Sequence, residues 1–240
     1  EKKESLYKRY IASMLGTDVK FMVYPKKEID SISSALRMAI GDRSAAMKKE
    51  QQDFYLKVNK TSGKSKMERA YEDGIIVKGR VVSTNKSTCF VDVYGKQVQI
   101  PKKEMSWRYV ANVGDVVRNN DIVNVKITDL AVNHETGEID MQASLRAAQE
   151  NVVKNNMKLY SEGTITLGVV TGISNGYWIQ VGDTETGIDV YCKKINCMEL
   201  PEVGDTVGVT LFKMDYENGM TFGSVENIVR RANRWGSVAA

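Results

Sequence analysis

The residues of this 240-residue chain best placed to do chemistry are aromatics set one position out of step with aliphatics. In Cys89-Phe90-Val91-Asp92-Val93, a strand's period of two sends Val91 and Val93 to one face and Phe90 and Asp92 to the other. Further on, the same alternation turns Ile179, Val181, Ile188 and Val190 inward, so Trp178, Gln180, Asp189 and Tyr191 point outward. An outward ring beside cations is suited to stacking nucleobases and holding phosphates. Lys86 precedes Phe90, and the run Lys102-Lys103-Glu104-Met105-Ser106-Trp107-Arg108-Tyr109 mixes cations with rings, while Lys193 and Lys194 follow Tyr191. The candidate contacts to a single strand of RNA or DNA are therefore Lys86, Phe90, Lys102, Lys103, Trp107 and Arg108, and then Trp178, Tyr191, Lys193 and Lys194. Each ring has a structural alternative. Phe90 is equally readable as an edge aromatic under a loop, Trp107 as a plug at one end of its domain, and Trp178 as a ring covered by a linker helix or a neighbouring subunit.

Catalytic groupings are scarce. The single histidine, His134, lies in the polar turn Asn133-His134-Glu135-Thr136-Gly137, without a neighbouring nucleophile or a second histidine. No glycine-rich phosphate loop or dinucleotide fingerprint is present. Cys89, Cys192 and Cys197 form neither an even disulfide framework nor a zinc pattern, which fits a reducing, cytoplasmic setting. The expectation is a binding protein rather than an enzyme, with no metal and no cofactor.

The elements that must carry these rings repeat. From 74 to 144 the chain reads as five short strands, beginning with Gly74-Ile75-Ile76-Val77-Lys78-Gly79-Arg80-Val81-Val82 and including a Gly-Asp turn at Val113-Gly114-Asp115. From 162 to 227 the order recurs, with a first strand at 163–171, a second at 176–181, a third at 187–191, a Gly-Asp turn at Gly204-Asp205, a fourth strand at 207–214 and a fifth at 220–225. Residues 145–161 read as a helical linker, residues 59–73 as a basic, polar tether, and residues 228–240 as a basic tail with Arg230, Arg231 and Arg234. Residues 1–58 are read as the C-terminal part of a degenerate module: a helix over Leu6 to Leu15, a strand at Val19 to Tyr24, a last strand within 32–40 and a helix over Met47 to Leu56. The chain opens on Glu1, so it is expected to begin inside a longer protein. No run approaches a membrane span.

The net charge of +4 is unevenly spread. Residues 1–70 hold 16 Lys and Arg against 9 Asp and Glu, residues 71–150 hold 10 against 11, and residues 151–240 hold 8 against 10. The repeated segments must then rely on local clusters and stacking, because non-specific affinity for nucleic acid scales with phosphate neutralisation.

The order of Phe90-Val91-Asp92-Val93-Tyr94-Gly95 followed by Ile100-Pro101-Lys102-Lys103-Glu104-Met105-Ser106-Trp107 resembles the ribosomal protein S-one RNA-binding domain, an oligonucleotide-binding (OB) barrel. Ser87 and Pro101 depart from it where the family often has an aromatic and a histidine. The phrases Met14-Leu15-Gly16-Thr17-Asp18-Val19-Lys20-Phe21 and Ser44-Ala45-Ala46-Met47-Lys48-Lys49-Glu50 are similar to those of S-one-domain proteins from phages and mobile elements of Gram-positive bacteria. The resemblance implies a mainly β protein: tandem five-stranded OB-fold barrels, helical linkers and an α+β N-terminal segment. It also implies single-stranded RNA or DNA as partner, by non-catalytic stacking and phosphate contact. The alternative is a structural or protein-interaction component of a larger, phage- or element-encoded assembly, virion-associated in that case.

Overall fold

In the computed structural model, the described residues are 16, 18–23, 41–183 and 186–232. They form a mainly β protein with two five-stranded OB-like barrels. The chain divides into two compact units, Glu1–Met105 with Asn112–Gln149, and Ser106–Ala111 with Glu150–Ala240. The segment 106–111, which lies in sequence between the third and fourth strands of the first barrel, thus belongs to the second unit.

In the first unit a two-stranded ladder, β1 (Met22–Val23) and β2 (Gly41–Asp42), precedes helix α1 (Arg43–Gln51), which continues as a π turn over Gln52–Leu56. Within the described part of the expected strand at 19–24, only Met22–Val23 is strand, and the expected helix at 47–56 begins four residues earlier. Asp42 caps it, its carboxylate accepting from Ala45 N at 3.0 Å. The segments read as a helix over 6–15 and a strand within 32–40 lie outside the described residues. Residues 59–73 are not a plain tether. Lys66–Glu72 form helix α2, nucleated by a capping box in which Ser65 Oγ accepts from Glu68 N and Glu68 Oε2 from Ser65 N.

The first barrel consists of β3 (Ile76–Thr84), β4 (Thr88–Val93), β5 (Lys96–Pro101), β6 (Ile122–Val132) and β7 (Ile139–Ser144), in spatial order β5-β4-β3-β6-β7. Its interior is filled by Val81, Cys89, Val91, Val93, Ile100, Met105, Val113 and Val125, all fully buried. Tyr55 of the π turn plugs one end, fully buried, with its hydroxyl donating to Val93 O at 2.7 Å.

In the second unit the linker is broken rather than continuous: helix α3 (Val152–Asn156) is followed by a 3-10 turn at Met157–Leu159. Its buried Val153 and Met157 join the core of the second barrel. That barrel comprises β8 (Ile165–Ile173), β9 (Tyr177–Val181), β10 (Ile188–Ile195), β11 (Thr206–Asp215) and β12 (Met220–Arg230). It repeats the strand order and closes fully through a parallel β10–β12 ladder. Cys89 and Cys192 are inward-facing core residues, and burial pushes both thiols up to about 12.

The two barrels share a register. Val81 pairs with Val91 and Val170 with Ile179, and each pair is followed by a bulge. Just before it, Gly79 and Gly168 face inward where a Cβ would lie 2.4 Å from Val91 Cγ1 and 2.5 Å from Ile179 Cγ2, so both first strands need a bare backbone there. The turn before the fourth strand also recurs, but at a site other than Gly114-Asp115. Gly204 N donates to Val170 O and Val170 N to Asp205 O. Asn120 N likewise donates to Val81 O and Val81 N to Asp121 O. The counterpart of Gly204-Asp205 is therefore Asn120-Asp121. Both Gly204 (φ 93°) and Asn120 (φ 77°) are left-handed, a conformation that Asn tolerates better than most side chains. Asp115 is exposed and only accepts from Asn112 within a 3-10 turn.

Asp205 is fully buried and accepts from Glu202 N, Ala232 N and Arg231 Nη1 at 2.8–2.9 Å. Arg231 of the expected basic tail is therefore a structural residue, and it also reaches Glu199. The donors hold the Asp205 carboxyl down at about 2 against an ordinary 3.8, although burial by itself acts in the opposite direction. A depressed folded-state pKa gives stability that is present above the unfolded value and disappears as pH falls through the folded one. Asp205→Asn is expected to lower the urea midpoint of the second barrel at pH 7. The gap from wild type should narrow between about pH 4 and pH 2; a gap that is constant with pH would refute this role.

Candidate nucleic-acid interface

The alternation expected for β4 is seen directly: Cys89, Val91 and Val93 are buried, while Thr88, Phe90 and Asp92 are half-buried on the outer face. Phe90 lies between Ser83 of β3 and Gln99 of β5, and has no ring partner among the described residues. The β3–β4 hairpin holds Lys86, which is exposed. The 3-10 turn Lys102–Glu104 reaches the same end of the barrel, where Lys102 N donates to Ser87 O at 2.8 Å. Backbone pairing thus sets Lys86, in the hairpin, and Lys102, just after β5, at the same end of the sheet that carries Phe90. Val113 N is tied to Lys86 O at the same place.

Trp107 and Arg108 have contacts of their own. Both lie in the second unit, where Trp107 packs, partly buried, against the core of the second barrel. Arg108 Nη2 donates to Gly187 O at 2.8 Å and Asp183 O at 3.3 Å, so its guanidinium is engaged by loop carbonyls. Tyr109 N donates to Asp189 Oδ2 at 2.6 Å, and burial raises the Asp189 carboxyl above its ordinary value despite that bond and the nearby Arg108.

Trp178 and Tyr191 do share one outer face, as the alternation predicts. They are directly opposite on β9 and β10, with ring centroids 5.0 Å apart. The face is nonetheless occupied. Tyr109 stacks on Trp178 at 4.6 Å and 14°, and Tyr191 meets Phe222 of β12 edge-on at 6.4 Å. Lys213 lies over Phe222 at 5.9 Å. Trp178 is thus covered by a distant loop of its own chain. Gly172, its cross-strand partner, makes room: a Cβ there would lie 2.4 Å from the Tyr109 ring. Lys193 and Lys194 are exposed beyond the rings, on β10. Phe222 also lies on the outer face, between buried Thr221 and Gly223, a placement that apolar alternation in Met220-Thr221-Phe222-Gly223 does not give away. Tyr109 stood out only as one ring of the 102–109 run, with nothing to point to Trp178 as its partner.

Register makes the two faces comparable. Phe90 is opposite Ser83 and Gln99, whereas Trp178 is opposite Gly172 and Tyr191, so Phe90 and Trp178 occupy the same barrel position. By the same register Lys78 and Arg80 in β3 correspond to Leu167 and Val169 in β8. His134 lies in its polar turn, against Glu68 at 3.1 Å. No group of three or more metal-ligating side chains is found among the described residues, and no helix among them is long and apolar enough to cross a membrane.

Residues 70–143 match the family model of the S1 RNA binding domain. The match covers the first barrel, the one whose outer aromatic is unpaired. The small ribosomal subunit protein bS1 of Mycolicibacterium smegmatis is 26% identical over 170 residues, 68% of this chain and 34% of that protein. That of Mycobacterium tuberculosis (strain CDC 1551 / Oshkosh) is 28% identical over 153 residues, 61% and 31% of the respective chains. This chain spans about a third of the length of these relatives. Among solved structures, a multidomain protein with nucleic acid binding domains from Streptococcus pneumoniae aligns over 63% of this chain and 51% of its own at 10% identity. Its TM-score of 0.23 is too low to carry a comparison of architecture.

Gly172→Ala is expected to push Tyr109 off Trp178. Acrylamide should then quench Trp178 emission more strongly than in wild type, and the increment should vanish in a Trp178→Phe background. Unchanged quenching would mean that Tyr109 is not held there.

Proposed function

We propose that the chain binds single-stranded RNA without catalysing a reaction on it, and that the first barrel is the principal site. The observation that carries this reading is the unpaired outer ring of Phe90 on the barrel that matches the S1 RNA binding domain, with Lys86 in the adjoining hairpin and Lys102 and Lys103 just after β5 as the nearby cations in sequence. The bS1 relatives are ribosomal proteins by name, which supports RNA over DNA. Phe90 stacks a base, and the lysines draw the backbone in.

A second reading applies to the second barrel: that of a protein-binding module in a larger assembly. It is favoured by the outer face of β8, where Ile165, Leu167 and Val169 are 71%, 57% and 42% exposed at the positions where the first barrel carries Ile76, Lys78 and Arg80.

Phe90→Ala is expected to weaken binding of a single-stranded RNA oligonucleotide by about 1–3 kcal/mol while leaving the melting temperature of the protein unchanged. Lys86→Gln with Lys103→Gln should instead flatten the dependence of log affinity on log salt, by roughly 0.7 for each phosphate that is no longer neutralised. Fluorescence anisotropy over a salt series separates the two. If wild type shows no saturable binding at low salt, the RNA reading fails and the assembly reading replaces it.

A further inference from the structure

The first unit contains a cavity of about 130 Å³ between α1 and the outer face of β3, and its charges do not pair off. It is lined by Asp18, Lys20, Arg43, Glu50, Lys78 and Arg80, with Asp92 and Tyr94 of the β4 end beneath. Two of its three carboxylates are satisfied internally: Asp18 pairs with Arg80, Nη1 to Oδ2 at 3.4 Å, and Glu50 with Lys20. The third, Asp92, accepts from Gly95 N at 2.8 Å; burial shifts it toward its neutral form, against the pull of the nearby Arg43 and Lys20 charges, so it offsets Arg43 only in part. On the cationic side, Arg43 and Lys78 have neither hydrogen bond nor ion pair among the described residues, and Arg43 Nε is buried with no acceptor. A buried donor left without a partner forfeits the hydration it lost on folding and calls for an acceptor from elsewhere.

The rim already handles an oxyanion. The Asp18 carboxylate is held by Arg80 and also accepts from Asn120 Nδ2 at 3.3 Å. Size limits the ligand further, because pockets that enclose a drug-sized molecule run to about 300–1,000 Å³. This one admits a small anion and not a nucleoside.

We propose that the cavity between α1 and β3 is a binding site for one phosphate group, with Arg43 and Lys78 as its direct contacts. Two sources share that chemistry: a free phosphate ion, or a backbone phosphate of a strand that reaches β3 from Phe90 on the adjoining β4. Only the second source rests on the RNA reading.

The test has two arms, both on the full chain. In the first, thermal unfolding is followed in inorganic phosphate and in chloride at matched ionic strength. The free-ion form predicts a higher midpoint in phosphate, abolished by Arg43→Gln and by Lys78→Gln. In the second arm, the salt dependence of single-stranded RNA binding is measured for the same variants. The strand form predicts a slope reduced by about 0.7 for each cation removed. The proposal is overturned if the RNA slope is unchanged and phosphate either fails to raise the midpoint or raises it equally in wild type and Lys78→Gln. Lys78 is exposed, so its variant decides the matter even if Arg43→Gln does not fold. The first arm contains no RNA, so its outcome is independent of whether Phe90 stacks a base.

Discussion

The wrapping of a five-stranded sheet around an apolar interior, complete in the second barrel, governs both. Every second residue must be small or branched and apolar to fill that interior, and the first strands must bend sharply enough to pair on both sides. The inward glycines Gly79 and Gly168, the bulges that follow Val81 and Val170, and the left-handed turns at Asn120 and Gly204 all serve that bend. The buried Asp205 shows how firmly one such turn is fixed, since three donors converge on a carboxylate that has left water. With the inside dictated, variation is left to the outward positions, and function has to be written there.

Comparison at equivalent outward positions shows how far the two barrels have parted. Where the first has Phe90 with Gln99 and Ser83 beside it, the second has Trp178 with Tyr191 and Gly172. Where the first has Lys78 and Arg80, the second has Leu167 and Val169. A cationic strip repels an apolar partner through the cost of dehydrating its charges, and an apolar strip gives a phosphate backbone nothing to neutralise. Near-neutral net charge in both segments therefore hides opposite local surfaces.

Most of the barrel architecture was legible because a period of two survives in short stretches of sequence. That period placed Val91, Val93, Ile179 and Val190 inside, and Phe90, Trp178 and Tyr191 outside, as the burial pattern has it. What escaped was of two kinds. Some signals were local but disguised: Asn120-Asp121 takes the role of a Gly-Asp turn without the glycine, while Gly114-Asp115 displays the letters without the role, and the Ser65 to Glu68 capping box lay inside a polar stretch that looked like a tether. Other features are not local at all. Arg108 meets Gly187, 79 positions further along the chain, and Tyr109 meets Trp178 across a similar stretch, through folding that no spacing rule encodes.

The covered face of the second barrel bears on which barrel a strand would engage. An aromatic pair adds about 0.5–1.5 kcal/mol beyond area burial, and a stacked base is worth about 1–3 kcal/mol. A base replacing Tyr109 on Trp178 would thus gain little from the exchange of rings alone. It would also disturb the bond from Tyr109 N to Asp189, and those from Arg108 to Gly187 and Asp183, each a further cost of about 1 kcal/mol or more. The balance runs against displacement. Phe90 has no such ring to displace among the described residues, so a strand arriving at the first barrel would keep the whole of its stacking energy.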